Sequence, residues 1–446
     1  MLSHLAPLNT PAERILAQDD AGRVLRYGDL PALTAQWQAS LPGRRVVLLL
    51  CGNTVPHLAA YAGLHGAGHV LILLPATTAE STLADLRQRY QAEAVVRADA
   101  SGCMQITQLQ VSAGELHPDL SICLSTSGST GSPKLVRFSH EQLVANACAI
   151  RNYLAIGSDE VAMAHLPFEY SFGLSVLHSH VAAGARVLLS EHSIMQKSFW
   201  TRLSEATSLS GVPFHYEMLW RMRIDRMDLP RLRTLTQAGG HMAPELVAKV
   251  HALASQRGWQ FHLMYGQTEA GPRIGWLSHA LVAQWPGCIG QAIPGVQLSL
   301  QDGELVVQSP SVMLGYALNR ADLALGDDMG GRLHTGDLAE EAAPGIYRIT
   351  GRKSRFLKLQ GNRVSLQDVE ERLQIAGHAV HALGQENQLL LCTTDTDTDD
   401  VRQSALALFS FPPRSLKVQR VAEMPRTPNG KIDYPALARM ANEGAT

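Results

Sequence analysis

Short apolar runs alternate with amphipathic stretches along this chain, and this alternation constrains the fold more than any other feature. The apolar runs include residues 46–50, 70–74 and 122–124, and the amphipathic stretches include residues 141–154 and 244–254. Uninterrupted apolar runs are typical of strands that helices cover on both faces, as in largely parallel sheets. The sequence therefore predicts an α/β fold with layered sheets.

The pattern changes in the second half of the chain. Three short apolar runs are separated by turns at Gly303 and Gly345, and they cover residues 296–300, 304–307 and 346–349. Closely spaced short strands with glycine at the turns predict a small β-rich subdomain.

A domain boundary is expected after Gly351. A basic segment at 352–355 follows this glycine, and patterned helices and strands then run to the C-terminus. A chain of 446 residues also exceeds what one hydrophobic core usually supports. We predict a large N-terminal domain over residues 1–351 and a small α+β domain over residues 352–446.

The composition excludes several classes of protein. The net charge is -2 and no run of Lys or Arg stands out, so neither nucleic acid nor an anionic membrane is an expected partner. No membrane span or secretory signal is predicted, which favours a cytoplasmic protein. The six cysteines include no CxxC pair, which argues against a zinc site or a disulfide framework.

The strongest local motif is Ser125-Thr126-Ser127-Gly128-Ser129-Thr130-Gly131-Ser132-Pro133-Lys134. Its two glycines let backbone N–H groups approach phosphate oxygens, its hydroxyl side chains add donors, and Lys134 adds positive charge. A P-loop is excluded because only two residues separate the glycines and Leu135 follows the lysine. An ordinary Gly/Ser turn remains the alternative for this segment taken alone.

Further motifs follow in a fixed order. They are Tyr265-Gly266-Gln267-Thr268-Glu269, the weaker Gly315-Tyr316, Thr335-Gly336-Asp337, Gly351-Arg352 with Lys358 and Gly361, and Pro428-Asn429-Gly430-Lys431. With the Ser125–Lys134 segment they resemble the adenylate-forming enzymes, which include acyl-CoA synthetases, luciferases and the adenylation domains of peptide synthetases. The resemblance spans nearly the whole chain and implies that a carboxylic acid is activated with ATP and Mg²⁺.

The resemblance implies a role for each nucleotide-binding motif. Glu269 would hold the Mg²⁺ that bridges the ATP phosphates, and Thr268 would donate to a phosphate. Tyr265 would stack on adenine, with Gly266 beside it. Asp337 would accept the ribose hydroxyls, and Arg352 would reach the ribose or a phosphate. Taken singly, these motifs would instead indicate a helix start, a core tyrosine and a turn.

Two lysines of the C-terminal domain carry the mechanism that the resemblance implies. Lys431 would reach the substrate carboxylate and the α-phosphate during attack on phosphorus. Lys358 would act in the second half-reaction, after the mobile C-terminal domain has swung about a hinge. Ser354 occupies the matching hinge position, where Asp or Lys is commoner.

The acyl pocket is predicted by analogy with the family. Tyr170 occupies the position of an aromatic gate, and the expected lining residues are Gly173, Phe214, His215, Ala238, Met264, Pro272 and Arg273, with Gly239 and Gly240 at the nucleotide and the acyl group. Amino-acid-activating domains carry an Asp, at the position of Gly173, that pairs with the substrate ammonium. Because an unpaired buried ammonium is costly, an α-amino acid is disfavoured, although Glu169 is available to an amine placed differently.

Two interpretations of Arg273 are open. An ion-paired residue at the pocket rim is favoured, and recognition of a polar or second acidic group on the substrate is the alternative.

The expected reaction has two steps. A small carboxylic acid and MgATP give acyl-AMP and pyrophosphate, and a thiol then displaces AMP to give a thioester. The thiol would belong to CoA or to the phosphopantetheine arm of an acyl or peptidyl carrier protein. The alternatives are an amino-acid adenylation domain, an adenylate-to-amine ligase, and a catalytically silent homologue.

Overall fold

The computed structural model describes residues 2–99, 102–109, 114–125, 134–353, 356–359, 362–385, 388–409, 413–427 and 430–443. The chain forms two compact units. The first consists of Met1–Leu298 and Val307–Leu333, and the second of Ser299–Val306 and His334–Thr446. The sequence predicts a boundary after residue 351 because a hinge between two domains is expected there. This boundary does not coincide with the division between the two units, and it stays a prediction.

The first unit contains a nine-stranded sheet whose central strands are parallel. In spatial order its strands are Gln291–Ala292, Gly275–Leu277, Gln260–Tyr265, Thr234–Gln237, Ser208–Gly211, Val161–Ala164, Arg186–Leu189, Ile15–Gln18 and Val24–Arg26. Parallel strands end at the same edge of a sheet, and ligands of open α/β sheets bind outside the carboxyl ends of such strands. The residues that follow Gly211, Gln237 and Tyr265 therefore share one edge.

A seven-stranded sheet forms the second layer of this unit. Its strands, in order, are Gly315–Ala317, Leu135–Ser139, Leu120–Ser125, Val70–Pro75, Val46–Cys51, Ala94–Ala98 and Met104–Gln108. Val47 and Leu49 face one hydrophobic cluster, while Val46 and Leu48 face another. Burial on both faces explains why the apolar run at 46–50 is uninterrupted.

Helices cover these sheets. The α-helices of the first unit are Leu2–Leu5, Leu30–Ser40, Val55–Gly66, Glu80–Tyr90, His140–Tyr153, Ser171–Val181, Lys197–Leu203, Pro213–Arg221, Pro244–Arg257 and His279–Val282. Its 3₁₀ turns are Tyr27–Asp29, Ile224–Arg226, Thr268–Ala270 and Ala321–Ala324. The Ser139 hydroxyl accepts from the backbone N–H of Gln142 and so caps His140–Tyr153, the amphipathic helix expected at 141–154.

The second unit is α+β. Its four-stranded sheet is ordered Gln297–Gln301, Glu304–Gln308, Arg332–Ala343 and Ile346–Arg352, which confirms the predicted β-rich segment. The smaller sheets pair Phe356–Leu359 with Asn362–Ser365, and join Val380–Gln385, Gln388–Thr393 and Leu416–Arg420. The helical segments are Leu366–Ile375, Thr398–Leu408, Pro413–Ser415 and Tyr434–Glu443.

The predicted mixed α/β class is thus confirmed, with local differences. The helix expected from residue 401 begins at Thr398, because the Asp397 carboxylate accepts from the N–H of Asp400 and caps it. Asp337, whose Gly-Asp pair taken alone suggested a turn, lies within the strand Arg332–Ala343. The six cysteines are unpaired. Within the ranges that the structure describes, no helix has the length and apolar character needed to cross a membrane.

Candidate active site

Two strands of the seven-stranded sheet bring Lys134 to Tyr316. Tyr316 pairs with Val136 across the antiparallel strands, and Lys134 immediately precedes the strand Leu135–Ser139. The Lys134 Nζ lies 3.7 Å from the centre of the Tyr316 ring. The Tyr316 hydroxyl donates to Glu269 Oε1 at 3.0 Å. Lys134 and Glu269, which belong to separate motifs, are therefore joined through one tyrosine.

The loop that carries Glu269 connects two antiparallel strands of the nine-stranded sheet. It is closed where the Ile274 N–H donates to the Tyr265 carbonyl at 2.7 Å. A Cβ at Gly266 would come within 2.0 Å of the Pro272 carbonyl oxygen, so this position requires glycine. The 3₁₀ turn Thr268–Ala270 brings the Thr268 hydroxyl to 3.0 Å from that of Ser171.

These side chains fit a magnesium nucleotide. Glu269 Oε1 accepts from Tyr316, and a carboxylate has further lone pairs for a metal ion. Mg²⁺ usually takes one or two carboxylates together with substrate phosphates, and Lys134 supplies the positive charge that phosphates need. Burial raises the pKa of Tyr316 above its ordinary value, and the nearby Glu269 carboxylate raises it further. The phenol therefore remains a hydrogen-bond donor. The segment 126–133, with Thr126, Ser127, Gly128, Ser129, Thr130 and Gly131, lies outside the described residues.

The second unit pairs two other predicted residues. The Arg352 Nε donates to Asp337 Oδ1 at 2.6 Å, and the strands that carry them place these residues opposite each other. Asp337 is buried, whereas the Arg352 side chain is half-exposed. The pairing holds the Asp337 carboxylate in place, and its remaining lone pairs can accept hydroxyl donors, as its predicted ribose contact requires.

Glu304 forms a second ionic centre in this unit. It accepts from the Lys353 ammonium at 2.7 Å, from His334 at 3.0 Å and from the Gly336 N–H at 2.8 Å. Burial tends to raise the pKa of Glu304, but these donors outweigh it and lower the pKa from 4.5 to about 2. The charged Glu304 fixes the backbone at Gly336, next to Asp337.

Several residues predicted for the acyl pocket come together in one apolar cluster. The buried members are Ala162, Leu166, Phe172, Val176, Val212, Ala238 and Met264, and Tyr153, Tyr170, Phe214 and Trp276 pack against them. The cluster draws on the segments that follow the parallel strands of the nine-stranded sheet. It is suited to the apolar part of an organic acid.

Polar side chains also lie at this edge. The Gln237 amide donates to the Gly240 carbonyl at 2.9 Å, which shapes the backbone at Gly239 and Gly240. His215 Nδ1 lies 3.3 Å from His165 Nε2, and burial lowers the pKa of His215 to about 4. Burial, with a smaller contribution from His215, also lowers the pKa of His165 well below its ordinary value, so both imidazoles are neutral at physiological pH.

Gly173 is a packing position in the helix Ser171–Val181. A Cβ there would lie 2.2 Å from the Pro167 carbonyl oxygen and 2.8 Å from that of Leu166. The backbone therefore leaves no room for the Asp that amino-acid-activating enzymes carry at this position. Any contact between residue 173 and a substrate stays a prediction.

Arg273 differs from the favoured sequence interpretation. Its side chain is 1% exposed, and among the described residues no carboxylate pairs with it. The expectation of an ion-paired residue at the rim is therefore wrong. Burial lowers the pKa of Arg273, although an arginine remains protonated at any physiological pH.

The two predicted catalytic lysines lie on different elements of the second unit. The Lys431 carbonyl accepts from the Thr427 N–H at 2.7 Å, and Pro428 and Asn429 lie outside the described residues. Lys358 lies in the strand Phe356–Leu359, opposite Arg363. The catalytic roles of both lysines stay predictions.

Tyr316, Ser171 and Tyr153 contact predicted site residues but received no role from the sequence. Gly315-Tyr316 was a weak motif match, and its strand pairing with the segment after Lys134 gives it meaning. Ser171 and Tyr153 carry no sequence signal, because helix positions 3.0–3.4 Å from Thr268 and Arg273 depend on tertiary packing.

Comparison with known proteins bears on the family of this chain. Residues 108–317 match the family model described as AMP-binding enzyme, and the resemblance to the adenylate-forming enzymes is confirmed. The chain is 24% identical to 4-coumarate–CoA ligase 5 of Oryza sativa subsp. japonica, with 92% of the chain and 88% of that protein aligned. It is 29% identical to the L-proline–[L-prolyl-carrier protein] ligase of Pseudomonas fluorescens, over 72% of the chain and 68% of that ligase.

A solved structure shares the fold. The crystal structure of ATP-bound MatB from Rhodopseudomonas palustris has a TM-score of 0.82 at 19% identity, and the alignment covers 100% of this chain and 99% of that one.

Proposed function

We propose that this protein activates a small carboxylic acid with ATP and transfers the acyl group to a thiol. In the first step the carboxylate attacks the α-phosphorus of ATP, forming acyl-AMP and releasing pyrophosphate. In the second step a thiolate attacks the acyl carbonyl, forming a thioester and releasing AMP. The observation that carries this proposal is Tyr316, which joins the cation of Lys134 to the carboxylate of Glu269.

The residues of this chain bind and orient the reactants. Glu269 would hold Mg²⁺, which would supply positive charge to the phosphates. Lys134 and the segment before it would bind the β- and γ-phosphates. Tyr265 would stack on adenine and Asp337 would accept the ribose hydroxyls. Lys431 would stabilise charge that builds at the α-phosphate, and Lys358 would serve the transfer to the thiol.

The thiol is proposed to come from an acceptor molecule, and the buried Cys123 and Cys392 of this chain are poor nucleophiles. Burial raises the pKa of Cys123 to about 12 and that of Cys392 to about 11. A thiol needs its thiolate form to attack a carbonyl. CoA and a phosphopantetheinylated carrier protein present the same thiol, and the relatives reported above include a ligase of each kind.

Acid-dependent exchange of labelled pyrophosphate into ATP tests the first step. A panel of aliphatic, aromatic and amino acids should give exchange with at least one acid, and CoA or a carrier protein should then increase AMP release and yield a thioester. AMP release that no thiol stimulates would favour an adenylate-to-amine ligase. The absence of exchange with every acid would favour a catalytically silent homologue.

A further inference from the structure

Three arginines are buried among the described residues, and two of them have carboxylate partners. Arg137 donates to Asp328 at 2.6 Å and also to backbone carbonyls, and Arg320 contacts both carboxylate oxygens of Glu93 at 3.1–3.2 Å. Arg273 is the third. No ion pair neutralises it within the part of the chain that the structure describes.

The guanidinium of Arg273 is poorly supplied with acceptors. Its Nη1 lies 3.4 Å from the Tyr153 hydroxyl and 2.8 Å from the Met264 sulfur, and its Cζ lies 4.4 Å from the centre of the Phe172 ring. Nε has no hydrogen-bond partner among the described residues. A guanidinium carries five N–H donors, and a thioether is a weak acceptor. The protein alone therefore leaves most of the binding capacity of this cation unused.

Every Asp and Glu of the first unit lies within the described residues. The segments of this unit outside the described residues are residue 1, 100–101, 110–113 and 126–133, and their sequences contain neither Asp nor Glu. An unpaired buried charge is strongly unfavourable. A strongly desolvated ionisable residue beside a pocket is a candidate for a functional site.

The surroundings of Arg273 indicate what kind of ligand would pair with it. Met264, Phe172 and Tyr153, which surround the guanidinium, also belong to or pack against the apolar cluster of the acyl pocket. Thr268 and Arg273 lie on one loop and touch consecutive residues of one helix, Ser171 and Phe172. An acid whose reacting carboxylate lies near Thr268 would direct its distal end towards Arg273.

We propose that Arg273 is a specificity-determining residue that binds a second carboxylate, so that the substrate is a dicarboxylic acid. This inference rests on the proposed function for the reacting carboxylate. A bidentate pair between guanidinium and carboxylate would use the fork of donors that the protein leaves open. The aromatic and apolar walls would strengthen the pair by excluding water.

Pyrophosphate exchange with matched acids tests the proposal. Each of a series of diacids, from malonate to adipate with phthalate as an aromatic member, is compared with its monomethyl ester. For the preferred diacid, kcat/KM should exceed that of the ester by at least about 100-fold, as for a buried charge pair that loses one partner. In Arg273→Met this ratio should fall close to one, and Arg273→Lys should give an intermediate ratio. A wild-type preference for the esters, or a ratio unchanged in Arg273→Met, would overturn the proposal.

Thermal unfolding separates specificity from a structural role. Arg273→Met removes a desolvated charge that no carboxylate among the described residues neutralises, so Tm should not fall. Arg137→Met is the matched control, and its Tm should fall because Asp328 and several carbonyls lose their donor. A large fall in Tm for Arg273→Met would show that the arginine holds the fold, and would overturn the proposal.

A binding measurement keeps this inference distinct from the proposed function. The rise in Tm on adding each diacid or its ester without ATP reports the acid site alone. Stabilisation by a diacid but not by its ester, lost in Arg273→Met, supports the second-carboxylate site even if no acid gives exchange and adenylation fails. Stabilisation by neither compound, or equally by both, overturns it.

Discussion

Tyr316 donates a 3.0 Å hydrogen bond to Glu269, and its ring lies 3.7 Å from the ammonium of Lys134. One aromatic side chain thus sets the spacing between a phosphate-binding cation and a metal-binding carboxylate. We infer that Tyr316 positions Glu269 for magnesium.

Tyr316→Phe should therefore raise the Mg²⁺ concentration that is needed for pyrophosphate exchange. The variant keeps the ring beside Lys134 and removes only the hydrogen bond, so at limiting Mg²⁺ the exchange rate should fall about tenfold, equivalent to roughly 1.4 kcal/mol. Tyr27→Phe is the control, because it removes a 2.7 Å hydrogen bond to the Ala185 carbonyl and should lower Tm without changing the Mg²⁺ dependence. Equal Mg²⁺ dependence in the Tyr316 variant and the wild type would contradict the role.

Glu169 should make the stability of the protein depend on pH. Burial raises the pKa of Glu169 to about 7 from 4.5, with a further contribution from Glu191. Because the folded state holds this proton longer than the unfolded state, stability falls as pH rises from about 4.5 to about 7. The loss is on the order of 3 kcal/mol.

Glu169→Gln should flatten this part of the pH profile and raise the free energy of unfolding at pH 8, with little effect at pH 4.5. Glu191→Gln should move the transition to lower pH, since it removes a neighbouring negative charge. Denaturant unfolding from pH 4 to 8 measures both effects. A Glu169→Gln profile that parallels the wild type would rule out this carboxyl as the cause.

Gly173→Ala should destabilise the protein, because the new Cβ would overlap the backbone carbonyl of Pro167. Overpacking against backbone typically costs about 1–3 kcal/mol. Gly157→Ala is the control: its Cβ would meet only the end of the exposed Asp159 side chain, so the change should stay within about 0.5 kcal/mol. Urea unfolding of both variants compares them directly, and equal stabilities would mean that the helix shifts without cost.

Lys431 and Lys358 should separate the two half-reactions. Lys431→Ala should abolish pyrophosphate exchange and largely spare thioester formation from synthetic acyl-AMP, because that lysine is assigned to attack on phosphorus. Lys358→Ala should give the reverse pattern. The two assays on each variant form the test, and equal loss of both steps in either variant would contradict the assignment.

The sequence alone determined the class of fold and the motifs. Uninterrupted runs such as residues 46–50 predicted strands buried on both faces, because alternate side chains of a strand must each meet a core. The order of motifs from Lys134 to Lys431 predicted the chemistry through its resemblance to the adenylate-forming enzymes, and such motifs can be recognised because each is a short stretch of neighbouring residues.

Only the tertiary structure decided how the motifs meet. Strand pairing placed Tyr316 between Lys134 and Glu269, and helix packing closed the space beside Gly173. Burial made Arg273 an internal cation that no carboxylate of the described residues neutralises, instead of the expected rim residue. These relationships join residues far apart in sequence, and their burial and charge pairing depend on neighbours that no local pattern specifies.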